Sequence, residues 1–243
     1  MSINEKTPGL FLSLPYPCNY LFGNQATTLF VDPGYDVEEA IFSRYTQQGF
    51  RRSGDLIYRP QCRGCQACVS VRVPVTKFRP TRSQRRTWLK NQDLDVVIVP
   101  GQFGPSHFDL YRRYQASRHP DSSMNNDDPA LYEEFLFSRF TDTRIIEFHT
   151  PATKAYEANL IAVAITDMLP GALSAVYTFF DPDLSTRGLG IYAVLWQLHY
   201  AQQRGLDWVY LGYWVEHCAK MDYKANFRPL QVYRNNRWQT LSS

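Results

Sequence analysis

Cys62, Cys65 and Cys68 form a CxxCxxC array. Two-residue spacing lets successive thiolates converge from a tight turn onto one metal ion. Cys18, in PYPCNY, supplies a fourth ligand if the amino-terminal segment folds back, and Cys218 stands alone near the other end. Four thiolates suit Zn²⁺ or an iron–sulfur cluster. A set of reduced, partly buried thiols is the competing reading, and a disulfide suits a reducing compartment poorly.

A second concentration of reactive types is YLGYWVEHCAKMDYKANF (210–227). Tyr210, Tyr213, Lys220, Tyr223 and Lys224 are able to donate to an oxyanion or a phosphate, and Glu216 or His217 to relay a proton. Core packing is the alternative for Tyr210. A helix over 215–225 is expected, which would put Lys220 and Lys224, four apart, on one face. A third feature is the turn Ser185-Thr186-Arg187-Gly188-Leu189-Gly190 before an apolar helical stretch. Gly188 and Gly190 fit a helix start that cradles a pyrophosphate, but Ser185 stands where Gln or Arg leads that pattern.

The charge is unevenly spread. Residues 44–90 hold 12 Lys and Arg against one acid, Asp55, a local +11 in a chain of net +3, leaving −8 elsewhere. Such a window points to a polyanionic partner, with a solvated basic face as the alternative. Within it, Arg82, Arg85 and Arg86 precede Trp88, pairing cations for phosphates with an aromatic face for unpaired bases. At 44% hydrophobic and 20% charged residues, the chain is neither disordered nor collagen-like. No apolar run approaches the roughly 18 residues of a membrane span, and no signal peptide is read at the start. A cytoplasmic protein is expected.

These groups must be held by a fold. Helices are expected over 36–50 (capped by Asp36), 83–92, 105–118, 129–140 and 187–204. Strands are expected over 55–58, 69–75, 94–99, 144–149, 160–169, 172–180 and 208–211, with a final hairpin turning at Asn235–Asn236. Hairpin strands, a glycine turn, a long helix and a further strand follow the order of the GNAT acyltransferase core. The expected class is α/β: a GNAT-like domain over 93–243 behind a smaller α+β, cysteine-containing domain over 1–92. The altered phosphate turn points to an acyl donor other than coenzyme A.

The motifs PCNYL (17–21), GFRRSG (49–54), YRPQCRGCQAC (58–68), FRPTRSQRR (78–86), RYQASRHP (113–120), YTFFDP (177–182) and KMDYKANFRP (220–229) occur in this order. In them the chain resembles the arginyl-tRNA–protein transferases, and more specifically their bacterial branch, the aspartate/glutamate leucyltransferases. The resemblance implies transfer of leucine from Leu-tRNA to the α-amine of proteins beginning with Asp or Glu, which marks them for degradation. No cofactor is required for aminolysis of an activated ester. An acidic acceptor needs a fixed cation, for which Arg72 and Arg118, beside His119, are the candidates. A coenzyme A-dependent N-acetyltransferase with a metal-binding module and a non-catalytic RNA-binding protein are the alternatives.

Overall fold

The computed structural model describes residues 7–122, 124–152, 157–216 and 218–241. The amino-terminal part runs β1 (Leu10–Leu12), β2 (Tyr16–Pro17), β3 (Gln25–Ala26), β4 (Thr28–Val31) and α1 (Glu39–Gln47). It continues through β5 (Arg51–Ser53), β6 (Leu56–Pro60), β7 (Cys68–Pro74) and α2 (Arg82–Lys90). Then come β8 (Asp95–Pro100), α3 (Pro105–Arg118), α4 (Pro129–Leu136), β9 (Asp142–Thr150), β10 (Asn159–Leu169) and β11 (Ala172–Phe180). The chain closes with α5 (Leu189–Gln203), β12 (Trp208–Val215), β13 (Gln231–Arg234) and β14 (Arg237–Thr240).

An eight-stranded sheet dominates, in the order β14-β13-β7-β12-β11-β10-β9-β8. Every neighbouring pair is antiparallel except β11 and β12, which α5 joins as a parallel crossover. Alternation along β10 shows why both faces are covered. Ala162 and Ala164 pack with Leu189, Tyr192 and Ala193 of α5, while Val163 and Ile165 pack with Phe108, Tyr111 and Tyr132 of α3 and α4. A smaller sheet, β1-β4-β6-β5, lies beyond the other end of the large one. Phe42, Phe50 and Ile57 from this part meet Phe140, Leu169, Ala172 and Tyr210 in a shared core. Arg52 locks the two together: Nε and NH2 grip the Asp167 carboxylate at 2.7 and 2.6 Å, and NH2 also reaches Leu136 O and Thr143 Oγ1.

The expected change of domain at residue 92 falls in the turn between α2 and β8, yet β7, from the amino-terminal side, is an inner strand of the large sheet. α1 begins later than expected, with Glu38 and not Asp36 at its cap. α2 starts at Arg82 because Thr81 and Gln84 form a capping box, and Gln84 Nε2 also donates to Asn226 O at 3.1 Å. The helix expected over 215–225 is replaced. β12 runs on past Gly212 to Val215, and only a 3₁₀ turn, Asp222–Asn226, follows. Gly212 marks a bulge, where the register against β7 shifts, and so does not end the strand. Lys220 and Lys224 therefore do not share a helix face. No helix among the described residues is long and apolar enough to cross a membrane.

Candidate active site

β11 and β12 pair over three rungs only, Ala172↔Trp208, Leu173↔Val209 and Ser174↔Tyr210. Both strands then continue unpaired with one another, β11 to Phe180 and β12 to Val215. Two parallel strands that part while each stays extended open a wedge with exposed carbonyls and amides. Arg51, 7% exposed, fills its root. NH1 donates to Ser174 Oγ at 2.9 Å and NH2 to Ala175 O, the residues at and just past the last rung. Opposite, Gly212 of the bulge adopts φ 81°, a conformation glycine favours. A Cβ built there would lie 3.6 Å from both Arg51 Nε and Lys224 Nζ.

Lys224 is the most unusual titratable group at this root. Burial, and then the Arg51 guanidinium, lower its amine from 10.5 to about 7. Nζ donates to Tyr213 O at 2.7 Å and to Met221 Sδ at 3.7 Å. A neutral amine makes both donations and keeps a lone pair for a proton.

Above the root, α3 and the segment after β12 form the mouth. Tyr114 packs edge-on to Phe180 at 5.0 Å and to His119 at 5.8 Å, and Arg118 lies 5.8 Å from the Phe180 ring. Burial, then the charges of Lys220 and Arg118, lower the His119 pKa, so Lys220 lies within electrostatic reach of His119. Tyr223 lies within the same reach of Tyr114, and its ring lies 5.9 Å from Lys224 Nζ. Five sequence candidates thus converge: Arg118, His119, Lys220, Tyr223 and Lys224. Exposed Arg118 and Lys220 are cations at the rim.

Others are engaged elsewhere. Tyr210 is buried, and its hydroxyl accepts from Arg72 NH1 at 3.3 Å. Arg72 itself is stacked 3.5 Å from Trp208 and 4.3 Å from Trp238, and donates to Gln231 Oε1. The Tyr213 hydroxyl donates to Gly49 O and Tyr58 O at 3.1 and 3.0 Å. Burial holds that phenol protonated. These three side chains build the wall; only the Tyr213 carbonyl touches Lys224. Glu216 is exposed at the end of β12, and His217 lies outside the described residues.

The helix start at Gly188 has φ 66° and abuts α2. Lys90 Nζ donates to Thr186 O and Asn91 Nδ2 to Arg187 O, while Arg187 turns back onto Asn91 and Asp93. A Cβ on Gly190 would come within 3.3 Å of Phe180, so this glycine lets α5 close on β11. Both cations at the turn are therefore held internally. On α2, Arg82, Arg85 and Arg86 are exposed. Trp88 is half-buried against Tyr192 and His199, and with Arg85 and Leu198 it lines a groove of about 180 Å³ between α2 and α5.

Cys18 does fold back towards the CxxCxxC array, carried by the β2–β3 ribbon. Its sulfur accepts from the amides of Tyr20 and Leu21 at 3.5 and 3.4 Å. Burial, and then Cys18, Cys62, Cys65 and Cys218, push the Cys68 thiol up to about 12. Cys218 arrives because Val215 pairs with Cys68 at the end of β12. Nothing in its isolated sequence position signals this. Among the described residues no group of three or more His, Cys, Asp or Glu is arranged to hold a metal ion.

Comparison with known proteins bears on this geometry. The model for the arginine-tRNA-protein transferase amino terminus matches residues 16–86, and that for its carboxyl terminus matches 106–234. The chain belongs to this family. It is 44% identical to the aspartate/glutamate leucyltransferase of Hahella chejuensis (strain KCTC 2396) over 238 residues, 98% of this chain and 99% of that one. It is 46% identical to the same-named protein of Nitrosococcus oceani, covering 95% of each chain. Among solved structures it is similar to L-PGS from Bacillus licheniformis, at 10% identity and TM-score 0.48, covering 84% of this chain and 67% of that one. The amino-terminal match ends within α2 and the carboxyl-terminal one begins in α3; β7 and α2, on the amino-terminal side, reach into the large sheet and onto α5. The α/β class stands as the sequence implied, as does the order of hairpin strands, glycine turn, long helix and further strand.

Proposed function

We propose that this protein transfers leucine from Leu-tRNA to the α-amine of proteins beginning with Asp or Glu. The observation that carries the reading is a half-buried lysine at the root of the β11–β12 wedge, its amine bonded to Tyr213 O and pushed down to about 7 beside Arg51. The chain bearing it aligns end to end with aspartate/glutamate leucyltransferases.

An acceptor enters as an ammonium ion, and Lys224 takes one proton from it. The freed nitrogen attacks the leucyl ester carbon, and the carbon–oxygen bond to the tRNA ribose breaks. The nitrogen's surplus proton passes to the departing ribose oxygen, which leaves as a hydroxyl. The proton on Lys224 returns to solvent. The ester is already activated, so positioning of the two reactants supplies much of the rate. Tyr223, beside Lys224, is the candidate donor to the oxyanion. The exposed arginines of α2 take phosphates of the tRNA acceptor end, and the groove beside Trp88 takes an unpaired base. Leu-tRNA places the reaction in the cytoplasm.

A coenzyme A donor fits less well. Its pyrophosphate needs free cations at the α5 start, where Lys90 and Arg187 are held by Thr186 O, Asn91 and Asp93. The test is a transfer assay with labelled Leu-tRNA, Arg-tRNA and acetyl-coenzyme A, and peptides beginning with Asp, Glu, Asn or Ala. Label is expected to move from Leu-tRNA to the Asp and Glu peptides alone. Acetyl transfer without leucyl transfer would sink the reading.

A further inference from the structure

The sequence offers Arg72 and Arg118 as readers of the acidic acceptor; Arg72 is half-buried and stacked on Trp208 and Trp238, and Arg118 stands at the rim. Arg51 has different surroundings. It is a buried guanidinium without a carboxylate within ion-pair distance among the described residues. The nearby Asp167 is held by both Nε and NH2 of Arg52 and by Thr143 Oγ1. Arg51 bonds only to neutral acceptors, Ser174 Oγ and Ala175 O, through NH1 and NH2. Its Nε has no protein partner among the described residues. The edge formed by Nε and NH2 lies against Gly212, 3.6 and 3.7 Å from where a Cβ would stand, so only a glycine keeps a side chain off that edge. That edge matches a carboxylate bidentately. A buried charge left to neutral partners is costly, and an anionic ligand removes the cost. Leucyl ester and α-amine bring no negative charge; the side chain of an N-terminal Asp or Glu does. Lys224 Nζ stands 3.6 Å from the same position, beside where the α-amine of that residue would come.

Resting on the transfer reading, we propose that Arg51 is the receptor for the acceptor's side-chain carboxylate, which docks at its Nε–NH2 edge beside Gly212, and thereby sets the preference for Asp and Glu. Arg51 binds substrate in this assignment, and Ser174 positions it.

The experiment compares kcat/KM for peptides identical except for Asp or Asn at the first position, a pair differing in charge and not in shape. The unaltered protein is expected to prefer Asp by about 100-fold or more, since a buried polar receptor rejects a ligand lacking its partner. Arg51→Gln keeps a donor for Ser174 and is expected to cut that preference below about tenfold, chiefly through KM for the Asp peptide. Ser174→Asp gives the guanidinium a resident carboxylate. It is expected to keep or raise the thermal midpoint while raising KM for the Asp peptide about tenfold or more. Ser174→Asp carries the test if Arg51→Gln does not fold. An undiminished Asp-to-Asn ratio in the folded variants overturns the assignment and leaves the transfer reading intact. So does an unchanged ratio with weakened Leu-tRNA binding, which would make the anion a tRNA phosphate. Absence of leucyl transfer to every peptide by the unaltered protein overturns both.

Discussion

Lys224→Met tests the proton acceptor, because its effect depends on pH in a way that damage to the fold does not. Burial and the Arg51 guanidinium push the Lys224 amine down to about 7. The acceptor's α-ammonium titrates near 8. With Lys224 present, a complex is productive once either group has lost a proton, so log kcat/KM rises with slope one and levels off near pH 7. Without it the amine must arrive already neutral, and the inflection moves to about 8. At pH 6 roughly 9% of a group with pKa 7 is deprotonated, against roughly 1% for pKa 8, so the variant loses about tenfold in rate. At pH 9 the two fractions are both above about 0.9, and the variant comes within about twofold. Met is close to Lys in length, and the lost donation to Tyr213 O costs about 1 kcal/mol, leaving the fold intact. Initial rates of leucyl transfer to an Asp peptide between pH 5.5 and 9 measure this, with buffers kept at constant ionic strength. A loss that is the same at every pH, or an inflection near 7 that survives in the variant, would refute the role given to Lys224.

Three further outcomes follow from particular contacts. Asp167→Asn leaves Arg52 buried without its counter-ion and is expected to cost about 3–5 kcal/mol in urea unfolding, since both partners are fully buried; a loss under about 1 kcal/mol would remove Arg52 as the lock between the sheets. Gly54→Ala meets both a φ of 55° and the Glu134 carbonyl, which occupies the place of the new Cβ. It is expected to destabilise by about 2 kcal/mol or more, read from the same transition, and a near-neutral value would contradict the docking of the β5–β6 turn on α4. Replacing Arg82, Arg85 and Arg86 together by Ala should make the slope of log K against log salt for Leu-tRNA shallower by about 2–3, because each phosphate contact contributes 0.7–0.9. An unchanged slope would move the tRNA off α2.

Local chemistry made much of the molecule readable in advance. α3 begins and ends where Pro105 and Arg118 indicated, β11 spans 172–180 as expected, and Asn235 and Asn236 take the positive φ values of a tight hairpin. Each depends on neighbours in sequence: a proline that starts a helix, alternating apolar residues, an Asn-Asn pair that tolerates the left-handed region. Motif order likewise suffices for the family, and Lys224, Lys220, Tyr223, Arg118 and His119 stand within KMDYKANFRP and RYQASRHP, two of those motifs. Yet spacing misread the segment that carries Lys224. Gly212 looks like a strand breaker in a one-dimensional string, whereas β7 pairs on both sides of it and turns it into a bulge.

What only the tertiary structure decided is which charges face one another. Arg51 and Arg52 are adjacent in sequence and both buried, but pleating sends one to Asp167 and the other into the β11–β12 wedge. Ser174 and Asp167 lie more than a hundred residues from the arginines they hold, at distances that sheet register sets. The low pKa of Lys224 belongs to the same class of property, as does the approach of Cys218 to Cys68. A sequence specifies which groups can ionise. Burial and long-range pairing determine which of them are short of a counter-ion, and in this protein that shortage is concentrated at the root of the wedge.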